Sequence, residues 1–163
     1  MKTAIKGLAL ASMVLMSSGS AFAGVTVSYS QPEKYSDLPF ASWERKDVLD
    51  ALTKHFQKLA ETLPPGVDMN VEVLDIDLAG RLHHRRANEI RVMRNNGADW
   101  PVIHLRYTLV QNGAVIASGE ERLRDMMYLD NLRNRYSSGD PLRYEKRMID
   151  EWFNKKIAPK RVG

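Results

Sequence analysis

No cysteine occurs anywhere in the 163 residues, and that absence removes disulfides, thiolate nucleophiles and zinc-thiolate sites together. It also excludes a lipoprotein anchor, which needs a cysteine to acylate. Long apolar runs are scarce: the stretch from Gly7 to Met16 is too short to span a bilayer as a mature helix. Several enzyme signatures are missing as well. There is no Gly-x-Ser-x-Gly elbow, no glycine-rich phosphate loop and no His-Glu-x-x-His helix.

What is present begins with an address. Lys2 and Lys6 precede the apolar run, and Ser17-Ser18-Gly19-Ser20 leads into Ala21-Phe22-Ala23. Small residues at the two positions a signal peptidase reads predict a secretory leader over residues 1–23, cleaved after Ala23. The expected mature product is a soluble periplasmic protein of residues 24–163 with no membrane span. Removing Lys2 and Lys6, and no acid, takes the formal charge from +4 to +2. The whole-chain pI of 9.4 therefore owes part of its size to the leader, and it gives no reason to expect nucleic acid as a partner. The remaining 140 residues suit one domain, able to bury roughly two thirds of its unfolded surface without a metal or disulfide.

Val25 to Ser30 alternates as a strand and breaks at Gln31-Pro32. Glu33 to Ala41 reads as a crossing loop. Ser42 is placed to cap a helix to about Leu63, in which Leu49, Leu52, Phe56, Leu59 and Leu63 recur at helical spacing before Pro64-Pro65-Gly66. His55 lies beside that stripe and is expected to be packed and hydrogen bonded. A strand from about Met69 to Leu78 changes its apolar face halfway, which calls either for a bulge near Val73 and Leu74 or for cover on both sides. Gly80 stops it. Arg81 to Arg86 reads as a solvated loop, and adjacent His83 and His84 are poorly placed to chelate together. Glu89 to Arg94 is a further strand, ended by an Asn95-Asn96-Gly97 turn.

Asn112-Gly113 predicts a two-residue hairpin between Val102–Gln111 and Ala114–Leu123, because this dipeptide tolerates the positive φ angles required. The plain register sets Leu109 against Ile116 and His104 against Glu121. A bulge at Ser118-Gly119 would instead bring Arg106 to Glu120 and Ile103 to Leu123. Met126-Met127-Tyr128-Leu129 suggests a short connection packed by its methionines. Asp140-Pro141 starts a last helix to about Lys156 that buries Leu142, Ile149, Trp152 and Phe153, followed by a basic tail from Pro159 to Gly163. The sum is an α+β single domain: a mostly antiparallel sheet of about five strands with two helices packed on one face.

Asp75 and Asp77 are the polar residues most in need of partners. They are too few to hold a cation, and a structural reading has Asp77 capping the Ala79-Gly80 turn and Asp75 paired with an arginine. A wider version joins Asp75, Asp77, Arg122, Arg124, Asp125 and Arg143 in one ion-pair network between sheet and last helix.

Asp75-Ile76-Asp77-Leu78-Ala79-Gly80, Glu121-Arg122-Leu123-Arg124-Asp125, and Asp140-Pro141-Leu142-Arg143-Tyr144-Glu145-Lys146 ending in Trp152-Phe153 together resemble an exported Gram-negative family known as domain of unknown function 3016. The resemblance covers residues 25 to 157 and implies export and a single domain. It brings no activity, cofactor or partner. The functional expectation is a periplasmic binding or accessory module without catalysis. Its arginine-bearing segments Arg81 to Arg94 and Arg122 to Arg143 would face an anionic envelope component or an envelope protein, since guanidinium forks bind carboxylate and phosphate. The alternative is a hydrolase using Asp75 or Asp77 with His83 or His104. No cofactor or metal is expected.

Overall fold

The alternating segment at the start forms strand β1, Val25–Tyr29, which runs parallel to β2, Val67–Asp77, with Val25 beside Met69 and Tyr29 beside Val73. A parallel neighbour requires a crossover, and helix α1, Ser42–Ala60, supplies it. The computed structural model describes residues 24–85, 88–94, 97–130 and 134–158. The leader read at residues 1–23, Arg86, the Asn95-Asn96 part of the turn and the basic tail from Pro159 lie outside the described residues.

Ser42 does not cap α1. Ala41 holds the cap position, with no side-chain cap bond, and Ser42 is the first helical residue. The approach is instead tied by Arg45, whose guanidinium donates to the carbonyls of Pro39 (3.2 Å) and Phe40 (3.1 Å). Leu52, Phe56, Leu59 and Ala60 are buried along one side of the helix, with His55 among them.

Strand β2 buries Val67, Met69, Val71 and Val73, then resets. Its register against β5, Val102–Gln111, shifts between Val73 and Asp75, so that Leu74 is the extra residue and Ile76 returns to the core. The bulge, rather than cover on both sides, resolves the change of apolar face. β5 continues through Asn112 (φ 51°) and Gly113 (φ 77°) into β6, Ala114–Arg124, and the sheet order is β1-β2-β5-β6. Arg106 opposes Glu120 and Ile103 opposes Leu123, as the bulged register requires, but the shift falls at Ile116, not at Ser118-Gly119. Gly119 serves another end: it faces Tyr107, whose ring would lie only 2.9 Å from an added Cβ.

The second helix, α2, spans Arg143–Trp152 and passes into a single wide turn, Phe153–Ile157. Its entry is anchored by Asp140, which accepts the Leu142 N–H (2.9 Å) and the Lys146 ammonium (2.6 Å). Leu52 and Phe56 of α1, Ile149 and Trp152 of α2, and the inward residues of β2 and β5 share one core. Both helices therefore cover the same sheet face, in a single α+β domain whose strands are divided four and two.

The two remaining strands form a ribbon: β3, Arg81–Arg85, pairs antiparallel with β4, Asn88–Val92. The expected solvated loop at Arg81 to Arg86 is thus strand over its described part, because β4 supplies the ladder partner its polar sequence did not advertise. Gly80 (φ 82°) makes the turn into β3, with the Val92 carbonyl 2.8 Å from where a Cβ would stand. A further correction concerns the connection after β6. Met126 and Met127 point to solvent, and Tyr128 packs in their place against Tyr144, ring centroids 4.8 Å apart.

Candidate functional site

In an antiparallel pair, residues directly opposite one another share a face. Beyond the bulge, Asp75 stands opposite His104, which stands opposite Arg122; Asp77, Val102 and Arg124 form the next row. The uncovered face of the sheet thus carries four of the six residues expected to form one network. They do not meet. β5 lies between the aspartates and the arginines, and two strand spacings amount to about 10 Å.

Each aspartate has a nearer donor. Asp75 accepts the Ser36 N–H and the Ser36 hydroxyl, both at 2.7 Å, in place of the arginine expected for it. Asp77 pairs with Arg81 at 3.0 Å instead of capping the turn. Burial pushes its carboxyl up, against Arg81 and with help from Asp37 and Asp75 close by. Asp125 pairs with Arg147 of α2. Arg143 stacks on the ring of its neighbour Tyr144, 4.5 Å from the centroid. Arg122 and Arg124 are exposed and make no ion pair among the described residues. The six charges are dispersed: Asp75, Asp77, Asp125 and Arg143 each meet another partner, and Arg122 and Arg124 stand across β5 from the aspartates.

His104 is occupied too. Its Nε2 lies 2.8 Å from Glu120 Oε1, and Arg106 binds Glu120 Oε2 (2.9 Å) and Glu72 Oε2 (2.8 Å), making a polar ladder across three strands. A hydrolase built on Asp75 and His104 would need the histidine to receive a hydroxyl proton. Here the Ser36 hydroxyl goes to the carboxylate, and no serine or threonine is hydrogen bonded to a histidine among the described residues. No group of three histidine or carboxylate side chains is placed to hold a metal ion among them either.

Beneath the helices lies a second set of charges that the sequence did not reveal. His55 is packed and hydrogen bonded as expected, its Nε2 3.0 Å from Asp150 Oδ1 and 3.1 Å from the Lys146 carbonyl. Asp150 Oδ2 also takes the Tyr136 hydroxyl and the Arg135 guanidinium, each at 2.7 Å. Burial raises the Asp150 carboxyl, but the hydrogen bonds from His55 and Tyr136 outweigh it and hold the group below the usual carboxylate range. Burial pushes the Tyr136 hydroxyl up to about 12. Glu145 is fully buried, accepts the Ala79 N–H at 2.7 Å through Oε1, and has no partner at Oε2, so burial drives its carboxyl upward. Helical spacing puts Glu145 on the inner side of α2, the one signal that could have marked it.

The larger concavity lies elsewhere, where the crossing loop, the β2–β3 turn and the start of α2 meet. It encloses about 680 Å³, with Phe40, Val48, Leu78, Leu82 and Leu142 as apolar walls and with Arg91 and Glu44 as its charges. That volume falls in the range of small-ligand pockets, though the concavity is half open to solvent. Arg91 is fixed from below: its guanidinium grips both Asp37 oxygens (2.7 and 3.3 Å) and donates to the Ala79 and Gly80 carbonyls at 3.3 Å. Phe40 stands on the lip, 94% exposed. The cleft was not legible in the sequence because it gathers segments some forty to sixty residues apart along the chain.

The described residues thus form an α+β domain with an open, largely apolar cleft between its connections. The family model described as "Protein of unknown function (DUF3016)" matches residues 23–155, and the chain belongs to that family. No curated protein and no solved structure matches the chain. No helix among the described residues is long and apolar enough to cross a membrane.

Proposed function

We propose that this is an exported periplasmic protein that holds an apolar segment of an envelope component in the Phe40 cleft and does no chemistry on it. The observation that carries the reading is the lip residue: Phe40 is 94% exposed beside a cleft of about 680 Å³. A phenylalanine left in water forgoes about 2 kcal/mol of burial, and a ligand seated beside it recovers that. Export is supported by the basic, apolar and small-residue order of residues 1–23. The cleft offers apolar contact rather than anion binding, because Arg91 is neutralised by Asp37 and the other charge is the Glu44 carboxylate.

The test places a photoreactive benzoyl-phenylalanine at position 40, with the same group at Thr26 on the uncovered face as control. Adducts are expected at 40, absent at 26, and lost when Leu82→Asp puts a carboxylate in the β3 wall. An adduct-free position 40, or adducts indifferent to Leu82→Asp, would overturn the cleft. Osmotic shock should release a chain beginning at Gly24; full-length material kept in the cytosol would overturn export.

A further inference from the structure

β6 closes one side of the four-stranded sheet, and no described strand lies beyond it. Such an edge presents unpaired N–H and C=O groups, and proteins blunt it or use it. This one is eleven residues long, and its ends are unusual. Of the exposed large apolar side chains, Val115 and Ile116 stand at its start and Met126 and Met127 just after its end, all between 52% and 64% exposed. On its uncovered face Glu120 is followed two residues later by Arg122, which has no acid partner among the described residues.

We infer that β6 is a self-association surface whose occupant is a second copy of this chain, paired antiparallel about a two-fold axis at Glu121. Strand pairing about such an axis is self-complementary. It sets Arg122 opposite the partner's Glu120, and Glu120 opposite the partner's Arg122. Antiparallel pairing also lays the start of β6, with Val115 and Ile116, beside the end of the partner strand, where the partner's Met126 and the partner's Met127 follow in a turn. This register gives each Arg122 a carboxylate directly opposite: an axis one residue earlier would set it against the partner's Ser118, and one residue later would oppose two Arg122 guanidiniums, which is destabilising. At the axis itself Glu121 faces its copy on the helix-covered side, where Lys156 lies 3.3 Å from each carboxylate and offsets its charge. The result is one sheet continuous through both copies. It leaves the Phe40 cleft, on other elements, free in each.

Sedimentation equilibrium over about 1 to 100 µM, a range that resolves affinities of this order, should show a reversible monomer and dimer. Arg122→Glu sets four carboxylates on the uncovered face around the axis and should weaken the dimer at least about tenfold, with an unchanged circular dichroism melt at concentrations where the wild type is monomeric, because the side chain is exposed. Register is read by disulfide trapping, which is clean in a cysteine-free chain. Glu121→Cys should cross-link to itself on mild oxidation, since directly opposite Cβ atoms lie about 5 Å apart, whereas Ser118→Cys should not. A chain that stays monomeric to the top of the range, a dimer indifferent to Arg122→Glu, or cross-linking at 118 in preference to 121 would each overturn the inference.

Discussion

Two histidine–carboxylate pairs in this molecule have nearly the same length and opposite settings. His55 and Asp150 are 3.0 Å apart with side chains 5% and 9% exposed; His104 and Glu120 are 2.8 Å apart at 30% and 46%. The first joins α1 to α2 under the core, and its aspartate also takes Tyr136 and Arg135. The second stands on the uncovered sheet face, where water competes for every partner. Distance alone would rank them equal. Desolvation separates them, because a buried charge stripped of its partner has nothing to replace it while an exposed one has solvent.

The sharpest way to break this comparison is Asp150→Ala. It takes the shared carboxylate from His55, Tyr136 and Arg135 at once and should cost about 3 kcal/mol in a urea titration, the lower end of the penalty for opening a buried pair, because His55 keeps the Lys146 carbonyl. Acid should do the same reversibly. Asp140 and Asp150 are both held below the usual carboxylate range: burial opposes ionisation in each, but Lys146 and the Leu142 N–H at Asp140, and His55 and Tyr136 at Asp150, outweigh it. Their stabilisation is therefore complete at neutral pH and is lost as pH falls through the folded values. Wild-type stability should drop steeply on acidification while Asp150→Ala shows a shallower fall.

Glu145 runs the other way. Burial raises its carboxyl, so the folded state disfavours its charge, and stability is lost as pH rises above the ordinary glutamate range. Glu145→Gln keeps an acceptor for Ala79 N–H and should gain about 1 kcal/mol at neutral pH, a gain that disappears below the ordinary range. A loss at neutral pH would mean that the ionised carboxylate is matched by charge after all. Asp75→Ala comes next, expected to cost about 1 kcal/mol through its two bonds to Ser36 and to loosen the crossing loop in hydrogen exchange. Smallest is His104→Ala, whose effect on the melting temperature should vanish at high salt; a salt-independent loss as large as that of Asp150→Ala would dissolve the contrast between the two pairs.

Much of the scaffold could be read from the chain because local physics decides it. Asn112-Gly113 fixes a tight hairpin, the change of apolar face at Val73 narrows the strand to a bulge or cover on both sides, of which the bulge at Leu74 is found, and the Leu52, Phe56, Leu59 spacing faces the sheet. The Arg81–Arg85 strand was illegible because its sequence is polar and its ladder depends on β4. The charges fared worse for the same reason. Asp125 finds Arg147 and His55 finds Asp150 only after the helices dock, and nothing in the spacing of either pair announces it. The Phe40 cleft is the extreme case, a void whose walls are set by three separate connections.

The bond from His55 to the Lys146 carbonyl spans 91 residues, and Ile149, Trp152 and Phe153 beyond it complete the cover of the sheet. Closure of the core therefore waits on residues as far along as Phe153, since contacts so distant in sequence form late in folding.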